Sequence, residues 1–171
     1  LDSTNIIQPL LSIITTIGLD HKEFLGDDIK NIAQEKAGII KKKTPVLLGP
    51  DIKETLPIFE RISKEKEAPL HQIKDSIIQK PALPSYLLHN WKTALEASSI
   101  LYKDFPVGIE DNPKKYLTIR GRWEVVQEKP KIVLDVGHNE QGVRTIVNQL
   151  DNESYNHLHI MLGFSAEKET E

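Results

Sequence analysis

Ser12-Ile13-Ile14-Thr15-Thr16-Ile17 runs into Gly18-Leu19-Asp20-His21, and shortly afterwards Asp28 opens a stretch that ends at Gly38. Five of the first six residues are β-branched and half are apolar, the run is about as long as a buried strand, and the glycine and aspartate that follow end it in a loop. From Asp28, an N-cap residue type, Ile29, Ile32, Ala33 and Lys36 recur at helical spacing until Gly38 stops the run. A strand that returns through a helix begins a βα alternation, and the rest of the chain continues it. Val46 to Leu48 reads as a short strand. Ile52 to Glu67 carries Leu56, Phe59 and Ile62 at helical spacing among charges, an amphipathic helix closed by Pro69. Leu70 to Ile73 is a further candidate strand. Helical periodicity is clearest from Leu87 to Leu101, with Leu88, Trp91, Ala94, Leu95, Ser98 and Leu101 on one broad face.

Past that helix, Phe105 to Lys115 gathers Pro106, Gly108, Asp111, Asn112 and Pro113, a cluster of turn-formers that marks a domain boundary. The expected division is residues 1–106 and residues 107–171. In the second part, Lys131 to Val136 reads as a strand, Gln141 to Leu150 as a helix and His157 to Leu162 as a strand. At that spacing they predict one βαβ unit with parallel pairing and a right-handed crossover. The fold class is therefore α/β. No internal repeat or low-complexity tract appears.

Composition narrows what such a chain does. The 171 residues hold 22 Lys plus Arg against 25 Asp plus Glu, a net charge of −3, so no overall basic surface is available for nucleic acid. Hydrophobic residues at 39% and charged residues at 27% suit a packed core. The most apolar run, Ile6 to Ile17, is broken by Gln8 and Pro9, far short of the roughly 20 apolar residues of a membrane helix. A soluble protein is expected. The absence of cysteine removes disulfides, thiolate metal sites and a thiol nucleophile, and suits a reducing cytoplasm. The chain starts at Leu1 and ends at Glu171 just after a strand-like run, and so reads as a fragment.

Open parallel sheets bind ligands beyond the carboxyl ends of their strands, which directs attention to Asp20-His21 and to Asp135 through Asn139. At the first, an imidazole and a carboxylate offer ligands for a hard cation or a water; the alternative is a turn-capping aspartate beside a solvated histidine. Lys36 lies on the apolar face of its helix. Burial there would favour the neutral amine, a nucleophile that carbon dioxide can carbamylate, while the alternative is an aliphatic stem that carries the ammonium out to water.

Gly18-Leu19-Asp20-His21, Leu25-Gly26 and Ile32-Ala33-Gln34-Glu35-Lys36-Ala37-Gly38-Ile39-Ile40-Lys41 together resemble the signature of folylpolyglutamate synthase and dihydrofolate synthase, enzymes of the Mur ligase superfamily. The resemblance extends to Leu1-Asp2-Ser3-Thr4-Asn5, Gly121-Arg122-Trp123-Glu124 and Leu134-Asp135-Val136-Gly137-His138-Asn139, and so spans most of the chain. It implies part of a Mur-ligase-type central ATPase domain followed by part of a Rossmann-like C-terminal domain. The implied reaction joins L-glutamate to a folate or dihydropteroate carboxylate through an acyl phosphate, with ATP as co-substrate and Mg2+ as cofactor. The implied protein is a cytoplasmic monomer that engages neither nucleic acid nor membrane.

Carried over by motif, the resemblance makes His21 a magnesium ligand and Lys36 a carbamylated catalytic residue whose oxygens complete a second magnesium site. Arg122 and Asp135 would contact ATP, as would Asn139 and Asn90, and His138 would act at the phosphate or the incoming glutamate. Asp2 would touch the pterin side of the substrate. Physical readings stand beside these roles. Arg122 presents a permanently charged fork suited to phosphate, or pairs with Glu124; Asp135 accepts ribose hydroxyls, or caps the helix that follows. His138 and Asn139 open a helix whose first amides favour anions.

Several departures from the family pattern stand out. No Gly-x-x-x-x-Gly-Lys-Ser/Thr loop occurs in the chain, as expected if that loop lies upstream, and such a chain would be inactive alone. Pro84 to His89 replaces the Gly and Gln that usually precede the residue matching Asn90. Arg120 stands where proline commonly precedes Gly-Arg, adding a charge that either meets phosphate or faces solvent. A non-catalytic, nucleotide-binding relative of the same fold is the alternative function.

Overall fold

The protein is described by a computed structural model covering residues 3–17, 28–50, 52, 54–73, 84–105, 119–138 and 140–163. By its own contacts the chain divides into two units, Leu1–Leu117 and Thr118–Glu171.

In the first unit a short 3-10 turn, Ser3–Ile6, precedes β1 (Ser12–Ile14), α1 (Ile29–Ala37), β2 (Val46–Leu48), α2 (Leu56–Glu65), β3 (Leu70–Gln72) and α3 (Ser85–Leu101). The strands form a parallel sheet in the order β1-β2-β3, with Ser12 opposite Val46 and Val46 opposite Leu70. Each parallel step is bridged by a helix, as parallel pairing requires. β2 is central and wholly buried at Val46, Leu47 and Leu48, and its continuous apolar character follows from having both faces covered. Val46 and Leu48 join Ile14, Ile32, Ala33, Ala37, Ile40 and Phe59 in one core, into which α1 and α2 direct their apolar stripes. Leu47, pointing the other way, packs with Ile73, Ala97, Leu11 and Ile100, so α3 covers the opposite face.

The caps are those the sequence offers. Asp28 accepts the Lys30 N–H at 2.9 Å and starts α1, and the Gly38 N–H closes it on the carbonyls of Glu35 and Lys36. Gly49 ends β2 where the chain passes so close to β1 that an added Cβ would sit 1.9 Å from the Thr15 carbonyl oxygen. Pro57 lies in the first turn of α2, where its missing N–H costs no helical bond. Strand β1 stops at Ile14, before Thr15-Thr16-Ile17, and the second helix starts at Leu56 rather than Ile52. In α3 the buried residues are Leu87, Leu88, Trp91, Thr93 and Ala97; Ala94 and Leu101, expected on the core face, are exposed. Hydrophobicity spread round most of this helix leaves periodicity a weak guide to the face that the sheet selects.

The second unit contains β4 (Glu124–Glu128), β5 (Lys131–Leu134) and α4 (Glu140–Leu150). Here the expected parallel βαβ unit is corrected. β5 pairs antiparallel with β4 across the two-residue Lys129-Pro130 connection, with Glu128 opposite Lys131 and Glu124 opposite Leu134 and an irregularity at Val126. The His157–Leu162 stretch forms no strand, and its Met161 side chain is 98% exposed. A two-residue connection closes a hairpin at far lower entropic cost than a crossover through a helix, so the local partner takes the edge. Among the described residues, no helix is long and apolar enough to cross a membrane.

Candidate functional site

Two places in the structure carry the residues that the sequence singled out, one in each unit. In the first, Lys36 projects half-buried from the last turn of α1, and its Nζ donates to the Thr16 carbonyl oxygen at 2.9 Å, two residues beyond β1. The stem neither carries the amine freely to water nor leaves it in an apolar pocket. It anchors α1 to the carboxyl-terminal extension of β1, where the lysine also suits the negative end of the helix dipole. His21 and Asp20 lie outside the described residues, as does Asp2. Asn90 is exposed on α3, one residue from the buried Trp91.

A magnesium site needs several oxygen donors. Among the described residues, no three His, Asp or Glu side chains gather as a metal-holding group. Of the expected ligands only Lys36 is in view, and its amine donates to a carbonyl.

In the second unit the chain turns sharply at Arg120-Gly121-Arg122-Trp123 before β4. Gly121 has φ of +68° and Trp123 has φ of +47°. Glycine adopts that region freely, and at Gly121 a side chain would also collide with Val136, whose Cγ1 lies 2.8 Å from an added Cβ. For tryptophan the same region is strained by about 1–3 kcal/mol and persists only if neighbours over-determine it.

They do so here, because every polar backbone group named next is taken. The Gly121 N–H donates to Glu124 Oε2 at 2.7 Å, and the Gly121 carbonyl accepts the Val136 N–H at 2.8 Å. The Trp123 N–H donates to Asp135 Oδ2 at 2.8 Å, while Oδ1 of the same carboxylate accepts the Gly137 N–H at 2.8 Å. Asp135 is thus a brace between the turn and the end of β5, a role that its strand-end position alone did not reveal. His138 is exposed beyond it, its Nδ1 3.2 Å from the Val136 carbonyl oxygen. Asn139, the residue next to α4, lies outside the described residues.

The alternative pairing of Arg122 with Glu124 does not occur. Glu124 is occupied by Gly121 and by Arg120, whose Nε lies 3.2 Å from Oε1. The Gly121 N–H holds the Glu124 carboxyl below its ordinary pKa; desolvation opposes it, and the Arg120 guanidinium adds a further lowering. Arg122 itself is exposed, and no ion pair or hydrogen bond reaches its guanidinium among the described residues. The turn therefore displays one uncompensated planar cation on a braced backbone. Sequence reasoning missed Glu124 as an anchor and β4 as a strand. A hairpin signal was present in Glu124-Val125-Val126-Gln127-Glu128 and Lys131-Ile132-Val133-Leu134 flanking a two-residue turn.

Comparison with known proteins gives a consistent picture. No family model matches the chain. A Bacillus subtilis dihydrofolate synthase/folylpolyglutamate synthase is 30% identical over an alignment of 197 positions that covers 98% of this chain and 46% of the relative. A Lacticaseibacillus casei folylpolyglutamate synthase is 26% identical, again over 98% of this chain and 46% of the relative. The chain thus spans somewhat less than half the length of these curated relatives. Among solved structures, Escherichia coli FolC in complex with DHPP and ADP matches with a TM-score of 0.74 and 25% identity, over 92% of this chain and 42% of that one. The bifunctional folylpolyglutamate synthase/dihydrofolate synthase of Yersinia pestis complexed with AMPPNP and Mn ion matches with a TM-score of 0.67 and 30% identity, over 89% of this chain and 40% of that one.

Proposed function

This chain belongs, over the part of their length that it spans, with the dihydrofolate synthase/folylpolyglutamate synthases, and on that premise we propose that it is part of an ATP-dependent ligase that adds L-glutamate to a folate or dihydropteroate carboxylate. The carboxylate oxygen attacks the γ-phosphorus of ATP and ADP leaves. The amine of glutamate then attacks the acyl phosphate, inorganic phosphate departs, a proton is released, and an amide remains. Charge builds on phosphoryl oxygens in the first step and on the acyl oxygen in the second, so positioned cations lower both barriers.

The observation that carries this reading is the display of Arg122. A guanidinium without an acidic partner among the described residues, held between Gly121 and Trp123, whose N–H groups are both engaged, is prepared for an anion and suits the bidentate recognition of phosphate. Asp135 keeps this turn in place by accepting the Trp123 and Gly137 N–H groups, and it is assigned to the ribose of the nucleotide. His138, Asn139 and Asn90 are assigned to the nucleotide or to glutamate, and Asp2 to the pterin side.

His21 and a carbamylated Lys36 are assigned to magnesium, which when bound would neutralise phosphate charge. Carbamylation converts the Lys36 ammonium from a donor to the Thr16 carbonyl into an anionic oxygen pair, so the hydrogen bond seen here is that of the unmodified side chain. The protein is proposed to be a cytoplasmic monomer, and the 171-residue chain alone to be inactive.

The test is kinetic. The complete gene product should form glutamylated product from MgATP, L-glutamate and dihydropteroate or folate. Arg122→Ala should raise the KM for ATP about tenfold or more with the fold intact, the equivalent of one charge-assisted contact. An unchanged KM and kcat would remove Arg122 from the site. ATP binding without any turnover would favour the non-catalytic relative.

A further inference from the structure

We propose that Glu124 is a positioning residue, which by accepting the Gly121 N–H fixes the turn from which Arg122 projects and so sets the affinity for a nucleoside triphosphate. The inference rests on the reading of Arg122 as a phosphate contact, and its own content is the mechanical link between Glu124 and that arginine.

Three features carry the link. Glu124 Oε2 lies 2.7 Å from the Gly121 nitrogen, closing a ring of backbone and side chain around Arg122 itself. Gly121 and Trp123, the residues on either side of Arg122, both occupy the left-handed region, which glycine adopts freely but where Trp123 remains only while held. The second clamp, Asp135 on the Trp123 N–H, acts on the far side of the arginine, so Glu124 is the side-chain anchor on the near side. The carboxylate pairs with Arg120 and not with Arg122. Its effect is to limit the positions that the guanidinium can take, which lowers the entropy lost when a polyphosphate binds.

The ion pair with Arg120 is a separate contact, and its arginine side chain is 85% exposed. Pairs that open to solvent contribute little. Removing Arg120 should therefore leave the turn unchanged, whereas removing the acceptor for Gly121 should not.

The experiment combines MgATP binding by the complete gene product with 19F spectroscopy of the same protein labelled with 5-fluorotryptophan. The chain contributes two tryptophans, Trp91 and Trp123, which Trp123→Phe distinguishes. Glu124→Ala should weaken MgATP binding about tenfold and shift the Trp123 resonance, while the resonance of Trp91, buried in α3, stays in place as a control of folding. Glu124→Gln keeps an oxygen that can accept the Gly121 N–H, and Arg120→Gln keeps the carboxylate. Both should bind within about threefold of the original protein. Adding Glu124→Ala to Arg122→Ala should cost no further affinity, because the anchor acts through that arginine.

Original affinity and an unmoved Trp123 resonance in Glu124→Ala would overturn the proposal. Losses that add in the double variant would equally overturn action through Arg122. If instead Arg122→Ala alone leaves affinity unchanged, the nucleotide reading of the turn fails and takes the affinity claim with it. The Trp123 resonance then still decides whether Glu124 holds the turn.

Discussion

At the scale of single residues, the sequence marked positions better than partners. Lys36 was legible as an oddity because a lysine on the Ile29, Ile32, Ala33 face is uncommon, but its acceptor, Thr16, is 20 residues away and no local pattern names it. Asp135 was legible as a strand-end carboxylate, whereas its grip on the Trp123 N–H depends on a left-handed turn that only tertiary contact maintains. For Lys36, the assigned carbamate makes a sharp prediction. In the complete gene product Lys36→Ala should abolish nearly all turnover, and short-chain carboxylic acids should restore part of it, while bicarbonate should not. Loss of the Thr16 hydrogen bond alone would cost of the order of 1 kcal/mol of stability and leave turnover largely intact, so a variant with near-normal turnover at saturating magnesium would return Lys36 to an anchoring role only. Glu124 predicts a pH response. Its carboxyl is held below the ordinary value mainly by the Gly121 N–H, against desolvation and with a further lowering by Arg120, and Asp135 is the other carboxylate braced on the same turn. The stabilisation is thus complete above the ordinary carboxylate pKa and disappears as pH falls through the lowered one. Fluorescence of Trp123 should therefore stay constant from neutral pH into the weakly acidic range and change only below it. In Glu124→Gln that acid transition should be reduced; an identical transition in both proteins would assign it to another group.

At the scale of elements, the parallel sheet was readable because each strand is short, apolar and followed by a periodic helix, and all three strand positions agree with the sequence pattern. The antiparallel hairpin was not, because β5 reads equally well as a parallel or an antiparallel strand and pairing is decided by what lies beside it. Close contacts at strand ends are similarly invisible until the strands are laid side by side. Gly49 is the example: it follows the wholly buried β2, and its N–H donates to the Ile14 carbonyl at 2.8 Å. A methyl group there would overlap the backbone of Thr15, which has no flexible end to move aside. Gly49→Ala should therefore lower the stability of the first unit by about 1–3 kcal/mol or more, read as a drop in its denaturant midpoint. An unchanged midpoint would mean that β1 and β2 can separate locally at no cost, contrary to the parallel register described.

At the scale of the whole molecule, the two units differ in how they are held together. The first buries a continuous core on both faces of its sheet, from Ile14 and Phe59 on one side to Leu47 and Ala97 on the other. In the second, Val125, Val126, Ile132 and Leu134 of the hairpin and Val143 and Val147 of α4 remain substantially exposed. Composition could not announce that contrast, since both parts contain strand-like and helix-like apolar patterns; what differs is whether a second layer covers them. Two units with such unequal cores should unfold separately, and we propose that Phe105 to Lys115, which ends just before the division at Leu117 and beyond Phe105 lies outside the described residues, is the connector. Trypsin at low ratio should cut first at Lys114 or Lys115, leaving a product of the first unit that still unfolds cooperatively, while the second is degraded sooner because fewer of its apolar groups are protected. Cleavage should also precede global unfolding, so its rate should stay flat at denaturant concentrations too low to unfold the first unit. A connector that resists trypsin until the first unit melts would place it inside that core and move the boundary away from the turn-rich segment.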